Sequence, residues 1–168
     1  MNTVHPLPLV TQFATVSHMK ARIPRLAARA IIVQDNRLLL VNAFRGGTSD
    51  LWCAPGGGVV AGRSLPDNLM REVHEETGLE ISVGSVALIN EFHDPKSGFH
   101  QVEVFFRCAV AAGKIDHNWR DPEHVVTSRR FFARSEIPAI RLKPDSLPAI
   151  AFAPDAPARY DPLELIVI

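Results

Sequence analysis

The sequence predicts an α+β sandwich built on a mixed sheet, and three observations predict it. Segments that read as strands recur on both sides of a single well-marked helix, at Ala27 to Val33, Arg37 to Asn42, Glu80 to Phe92, His100 to Ala109 and Ser128 to Ala133. That helix, between Ser64 and Gly78, carries start and stop signals of its own. A second helical element is expected only near the end, around Ser146 to Phe152, among Pro144, Pro148 and Pro154. Runs of strands with one interposed helix and one late helix suit layers packed on a sheet rather than a bundle or a pure β fold.

Residues 1–22 lack periodicity and are read as an arm or extra edge strand, with Met19 an alternative start; residues 23–168 are expected to form one domain with a proline-rich tail. The strands Ala27–Val33 and Arg37–Asn42 flank Gln34-Asp35-Asn36, residues that favour turns, and their apolar richness implies burial. Gly46 to Asp50 reads as a flexible loop, followed by a short strand at Leu51 to Ala54 that feeds Pro55-Gly56-Gly57-Gly58. In the helix, Ser64 and Asp67 resemble a capping box, and Pro66 falls in the first turn, where its missing N–H costs little. Leu65, Leu69, Met70 and Val73 repeat at helical spacing and are expected to bury one face. Beyond Gly78 the two longer strands meet at Asp94-Pro95-Lys96-Ser97-Gly98, with proline and glycine in turn positions. A polar loop, Asp116 to Thr127, then leads into the strand Ser128–Ala133.

The chemistry concentrates in Arg71-Glu72-Val73-His74-Glu75-Glu76-Thr77-Gly78-Leu79. A helix turns about 100° per residue, so Glu72, Glu75 and Glu76 share one stripe, at the edge of the buried face or opposite it. Like charges at i,i+4 cost an isolated helix roughly 0.2–0.5 kcal/mol. The stripe therefore needs solvent, basic partners or a bound cation, and all-oxygen ligation suits Mg²⁺ or Mn²⁺ rather than zinc. A solvated acidic face is the alternative; the glycine-rich approach at 56–58 favours a cation held against a polyphosphate. Those glycines are neither a Walker loop, since no Gly-Lys-Ser/Thr follows, nor a GxGxxG fingerprint.

From Gly57 to Leu79 the sequence resembles the Nudix box of the Nudix hydrolases (MutT-like proteins): Gly, five residues, Glu, seven residues, then Arg-Glu-aliphatic-any-Glu-Glu-any-Gly-aliphatic. Gly57, Arg71, Glu72, Val73, Glu75, Glu76, Gly78 and Leu79 match, eight fixed positions over 23 residues. One position departs: the first glutamate falls on Arg63. The further glutamate common between the glycines and the helix is Val60. The resemblance implies an α-β-α sandwich whose metal-binding helix packs beside a mixed central sheet. It also implies hydrolysis of a pyrophosphate bond in a nucleoside diphosphate linked to another moiety, an NDP-sugar, an ADP-ribose-like compound or a (d)NTP, with Mg²⁺ or Mn²⁺ on Glu72, Glu75 and Glu76. Gly57, Arg71 and Gly78 take the motif's structural positions.

A general base is still required, from Glu75 or Glu76 or from an acid in the loop before Ser128, where Glu123 is the candidate with Asp121 behind it. Arg63 has lost the acidic partner position beside Arg71, which leaves Arg71 to pair with Glu75 at i,i+4 or with another acid, and Arg63 to face solvent or substrate phosphate. Arg45, Trp52 and Gly57 are the other candidates for substrate contact, with a surface arginine and a core aromatic as the alternatives for Arg45 and Trp52. Pro95, 16 residues past Leu79, resembles the proline marker of ADP-ribose-type members, and also suits its turn. His93 and His100 flank the same turn.

Composition bounds the partners. Lys+Arg and Asp+Glu both number 18, so there is no global basic field for stable nucleic-acid binding, and anion recognition must be local. Cys53 and Cys108 lack metal-ligand spacing and are read as reduced, structural thiols. No apolar run approaches the ~18 residues of a membrane span. A cytoplasmic protein acting on a small-molecule nucleotide is expected, with a homodimer left open. A Nudix-fold module that binds a nucleotide without cutting it is the alternative function.

Overall fold

The structure is a computed structural model and describes residues 23–42 and 44–167; the proposed N-terminal arm and the side chain of Arg45 lie outside the described residues. The elements are β1 (Arg25–Gln34), β2 (Arg37–Asn42), β3 (Leu51–Trp52), β4 (Gly56–Gly58), α1 (Leu65–Thr77), β5 (Glu80–Asp94), β6 (Phe99–Ala112), β7 (Ser128–Ala133), β8 (Arg141–Leu142), α2 (Leu147–Ala151), β9 (Arg159–Tyr160) and β10 (Glu164–Leu165). Short 3-10 turns sit at Arg45–Gly47 and Ile137–Ala139.

The sheet runs β10-β5-β6-β1-β2-β7, with β4 added to β1 and β9 to β5. It is mixed: β1 pairs parallel with β6 and antiparallel with β2 and β4. Ala27–Arg29 pair with the glycines of β4, while Val33 and Gln34 pair with Leu38 and Arg37 of β2. The edge of β1 is thus handed from one strand to the other. The turn between β1 and β2 places Asp35 and Asn36 at φ 50° and 57°, the left-handed pair that a two-residue hairpin demands.

Side chains alternate across the strands and build a core on each face. Ala28, Ala30 and Ile32 of β1, Leu39 of β2 and Phe106 of β6 meet Leu69 and Val73 of α1. Their neighbours Ile31, Leu38, Leu40 and Phe105 meet Leu147, Ile150 and Ala151 of α2. Burial on both faces explains why these strands are apolar throughout rather than alternating. Arg107 fastens the end of α2 by donating to the carbonyls of Ile150 and Ala153 at 3.1 and 2.9 Å.

Three local expectations change. Met70 is exposed, and α1 instead buries Asn68, Glu76 and Thr77 with Leu69 and Val73, because the helix is embedded more deeply at its C-terminal end. The strand expected at Leu51–Ala54 contracts to Leu51–Trp52, since Cys53 makes only an isolated bridge to Val41 before the chain turns into β4. The tail carries three further short strands, β8, β9 and β10, besides the expected helix.

Candidate active site

The glycine strand and α1 form two walls of one cleft. Ser64 caps α1, its hydroxyl accepting from Asp67 N at 3.1 Å, and Gly78 ends it at φ 76° with its N–H bonded to the His74 carbonyl at 2.8 Å. Buried Asn68 accepts from Val60 N at 2.9 Å and donates to the Ser64 carbonyl at 2.7 Å, tying the approach loop to the helix. Gly57 brings the backbone against Glu72: a Cβ there would lie 2.6 Å from the Glu72 carboxyl carbon. The close approach, rather than an unusual backbone angle, is what requires glycine.

The cleft has a volume of about 470 Å³ and is lined by Gly56–Gly58, by Arg71, Glu72, Glu75 and Glu76 of α1, by Arg25 and Arg29 of β1, and by Asp121, Glu123 and Val125. Its carboxylates differ in environment. Glu76 is 7% exposed and accepts from Gly56 N at 2.8 Å; burial pushes its carboxyl up to about 8, against the pull of Arg29 and that N–H. Half-buried Glu72 is raised by burial and by Glu75 and Glu123, while Arg71 opposes the shift. Arg71 reaches Glu72 at 2.5 Å and Glu75 at 2.6 Å, the latter the i,i+4 pairing. Asp121 is buried and accepts from the N–H groups of Glu123, Val125 and Val126 at 2.8 to 2.9 Å. It folds the loop that presents exposed Glu123 to the cleft.

The basic part of the lining comes from residues that the sequence reading did not select. Arg25 and Arg29 lie four apart on one face of β1, and Gln101 and Glu103 two apart on neighbouring β6. Arg29 donates to Glu103 at 2.7 Å and to the Gly56 carbonyl at 2.5 Å; Arg25 donates to Gln101 at 2.5 Å. Arginines at i and i+4 in an otherwise apolar strand were the available signal. Arg29 and Glu103 also line a second, largely apolar cavity of about 200 Å³ with Phe44, Leu51, Asn90 and Phe92.

Other candidates fall elsewhere. Arg63 is exposed and outside the cleft lining; its N–H closes a turn on the Val60 carbonyl at 3.3 Å. Trp52 packs edge-on against Phe132, ring centroids 4.7 Å apart, beside the core under α2. Pro95 belongs to the exposed hairpin turn, where Asp94 accepts from Lys96 and Ser97 N–H groups at 2.9 and 3.2 Å. His93 and His100 face each other across the hairpin with ring centroids 6.4 Å apart.

Among the described residues, no three His, Cys, Asp or Glu side chains converge as they stand on a point where an ion could be held. Arg71 accounts for part of this by drawing Glu72 and Glu75 to its own guanidinium. The donor chemistry nevertheless fits a hard cation: five carboxylates line one cleft, and among the described residues buried Glu76 and Asp121 have no ion pair.

Solved structures share the architecture. A UDP-X diphosphatase aligns with a TM-score of 0.64 at 24% identity, over 84% of this chain and 68% of that one. A NUDIX hydrolase from Nitrosomonas europaea aligns with a TM-score of 0.67 at 24% identity, over 82% and 93%. An ADP-ribose pyrophosphatase of Methanocaldococcus jannaschii is 29% identical over 92 residues, 55% of this chain and 54% of its own length. A putative ADP-ribose pyrophosphatase of Bacillus subtilis is 27% identical over 94 residues, 54% and 44%. The chain therefore spans about half the length of these curated relatives. The NUDIX domain family model matches residues 23–152, the stretch holding β1 to α2 with the glycine strand and the carboxylate helix, and the chain belongs to that family.

Proposed function

We propose that the protein is a divalent-metal-dependent pyrophosphohydrolase acting on a nucleoside diphosphate linked to another moiety. One observation carries the reading: the carboxylates of α1 and of the 121–123 loop line a single cleft together with Arg25, Arg29 and Gly56–Gly58. Glu72, Glu75 and Glu76 are the residues to hold Mg²⁺ or Mn²⁺, with Arg71 giving up its hold on Glu72 and Glu75. Bound there, the cation would neutralise phosphate oxygens and acidify a water molecule.

The remaining work belongs to the chain. Arg25 and Arg29 supply positive charge in the cleft, where phosphate oxygens are drawn. Glu123, exposed at the cleft, takes the proton of the attacking water. The water oxygen bonds to phosphorus, the bridging P–O bond breaks, and two phosphate products leave. The apolar cavity that shares Arg29 is sized for part of a substrate moiety, with Asn90 and Glu103 as its polar groups. An ADP-ribose-like compound, an NDP-sugar and a (d)NTP all fit this scheme, and the pyrophosphatases among the relatives support it.

The test is nucleotide-product release from ADP-ribose, UDP-sugars and (d)NTPs with Mg²⁺ or Mn²⁺. Turnover of at least one, lost in Glu75→Gln, is expected. A second reading, a nucleotide-binding module without hydrolysis, draws on Arg71 holding two of the three proposed ligands. Binding of at least one panel nucleotide, with release from none, would establish that reading instead.

A further inference from the structure

Trp119 fastens the loop that carries Glu123 to α1. Trp119 donates from Nε1 to the Glu75 carbonyl at 2.9 Å. That carbonyl lies in the last turn of α1, where the usual partner, Leu79 N, instead donates to the Thr77 hydroxyl at 3.2 Å. A helix end leaves such acceptors open, and the indole fills one of them. The ring also lies across Gly78: a Cβ there would meet it at 2.8 Å. It also meets His74 edge-on, ring centroids 5.4 Å apart. Arg129 of β7 donates to the Trp119 carbonyl at 2.8 Å and anchors the same residue from the sheet. Two residues later begins the Asp121 turn that presents Glu123.

We infer that Trp119 is a positioning residue for Glu123: it fixes the separation between the base-bearing loop and the carboxylate helix. The inference rests on the proposed role of Glu123 as the base. Gly78 then has two duties, a left-handed helix end and a seat for the indole. A base moved by about 1 Å loses on the order of 10²-fold in rate. The step affected is proton removal, so kcat should fall while substrate binding stays.

The experiment compares Trp119→Ala, Trp119→Phe and Glu123→Gln, alone and combined, on whichever panel nucleotide is turned over. Trp119→Ala is expected to lower kcat by about 10- to 100-fold with KM within about threefold. Trp119→Phe keeps a ring on Gly78 and His74 but lacks the N–H, and should fall between; it carries the test if the alanine variant does not fold. In the Glu123→Gln background, replacing Trp119 should add little. Hydrogen exchange at the amides of Glu123, Val125 and Val126 should quicken in the Trp119 variants, while Mn²⁺ binding to the metal-only protein stays within about threefold of wild type. Independent, multiplying losses in the double variant, unchanged kcat in Trp119→Ala, or unchanged exchange at the three amides would each overturn the inference. If Glu123→Gln keeps full kcat, the base assignment fails on its own, and the positioning role for Trp119 falls with it whatever the exchange data show.

Discussion

Replacing Gly57 with alanine tests where the Glu72 carboxylate is held. The new Cβ would stand 2.6 Å from Glu72 Cδ and 3.1 Å from Oε1. Carbon atoms pack at about 3.5–4.0 Å, so the carboxylate must withdraw by roughly 1 Å. Folding should barely notice. The Gly57 backbone lies outside the left-handed region, and Gly→Ala at a compatible site stabilises by about 0.4–1 kcal/mol through the unfolded chain. Displacing Glu72 offsets this, which leaves the net change within about 1 kcal/mol. Metal affinity should respond strongly, because disturbing the support of a ligand costs about 10- to 100-fold. Gly56→Ala is the contrasting control. Its φ is 132°, and its Cβ would collide with the Ala28 carbonyl and approach Arg29 Cα at 3.0 Å, backbone that cannot yield. A loss above about 3 kcal/mol is expected there, from strain added to the clash. Urea unfolding reads the stabilities, and electron paramagnetic resonance titration reads Mn²⁺ binding. Wild-type Mn²⁺ affinity in a folded Gly57→Ala protein would refute the assignment of Glu72 as a ligand.

Further predictions concern charge. Between the ordinary carboxyl value of 4.5 and about 8, folded metal-free protein keeps a proton on Glu76 that the unfolded chain has released. Stability therefore falls as pH rises through that window, by at most about 1.4 kcal/mol per unit. Urea midpoints in chelator at pH 5, 6.5 and 8 should show the decline, and Glu76→Gln should flatten it. Glu103→Ala strands Arg29, whose pair with Glu103 has side chains only 14% and 6% exposed; a loss of about 3 kcal/mol is expected by urea unfolding. Arg63→Glu places a carboxylate at the departing motif position, but residue 63 is exposed and outside the cleft lining, so Mn²⁺ affinity is expected to stay within about fivefold of wild type, the reach of a surface ion pair. Unchanged affinity and turnover would mean that the missing acid does not limit the site.

The carboxylate helix was legible because its evidence is local. The Ser64 cap, the Gly78 stop and the spacing of Glu72, Glu75 and Glu76 are set by the α-helical period and by backbone chemistry within 15 residues. The β1–β2 hairpin was legible for the same reason, since Asp35-Asn36 and the apolar runs on either side state their own conformations. Two-residue strands such as β9 and β10 carry no such period; they exist because β5 offers them an edge.

By itself, the sequence determined the layered α+β class, the helix with its acidic stripe and the family motif that runs from Gly57 to Leu79. Tertiary structure decided which charges meet. The parallel pairing of β1 with β6 unites Arg29 with Glu103 across 74 residues, and the fold of the 116–127 loop sets Asp121, Glu123 and Trp119 against α1. It also decided that Glu76 is buried with the core while Met70 faces solvent. Helical spacing fixes the angle between side chains, but how deeply a helix sinks against its sheet depends on residues far along the chain.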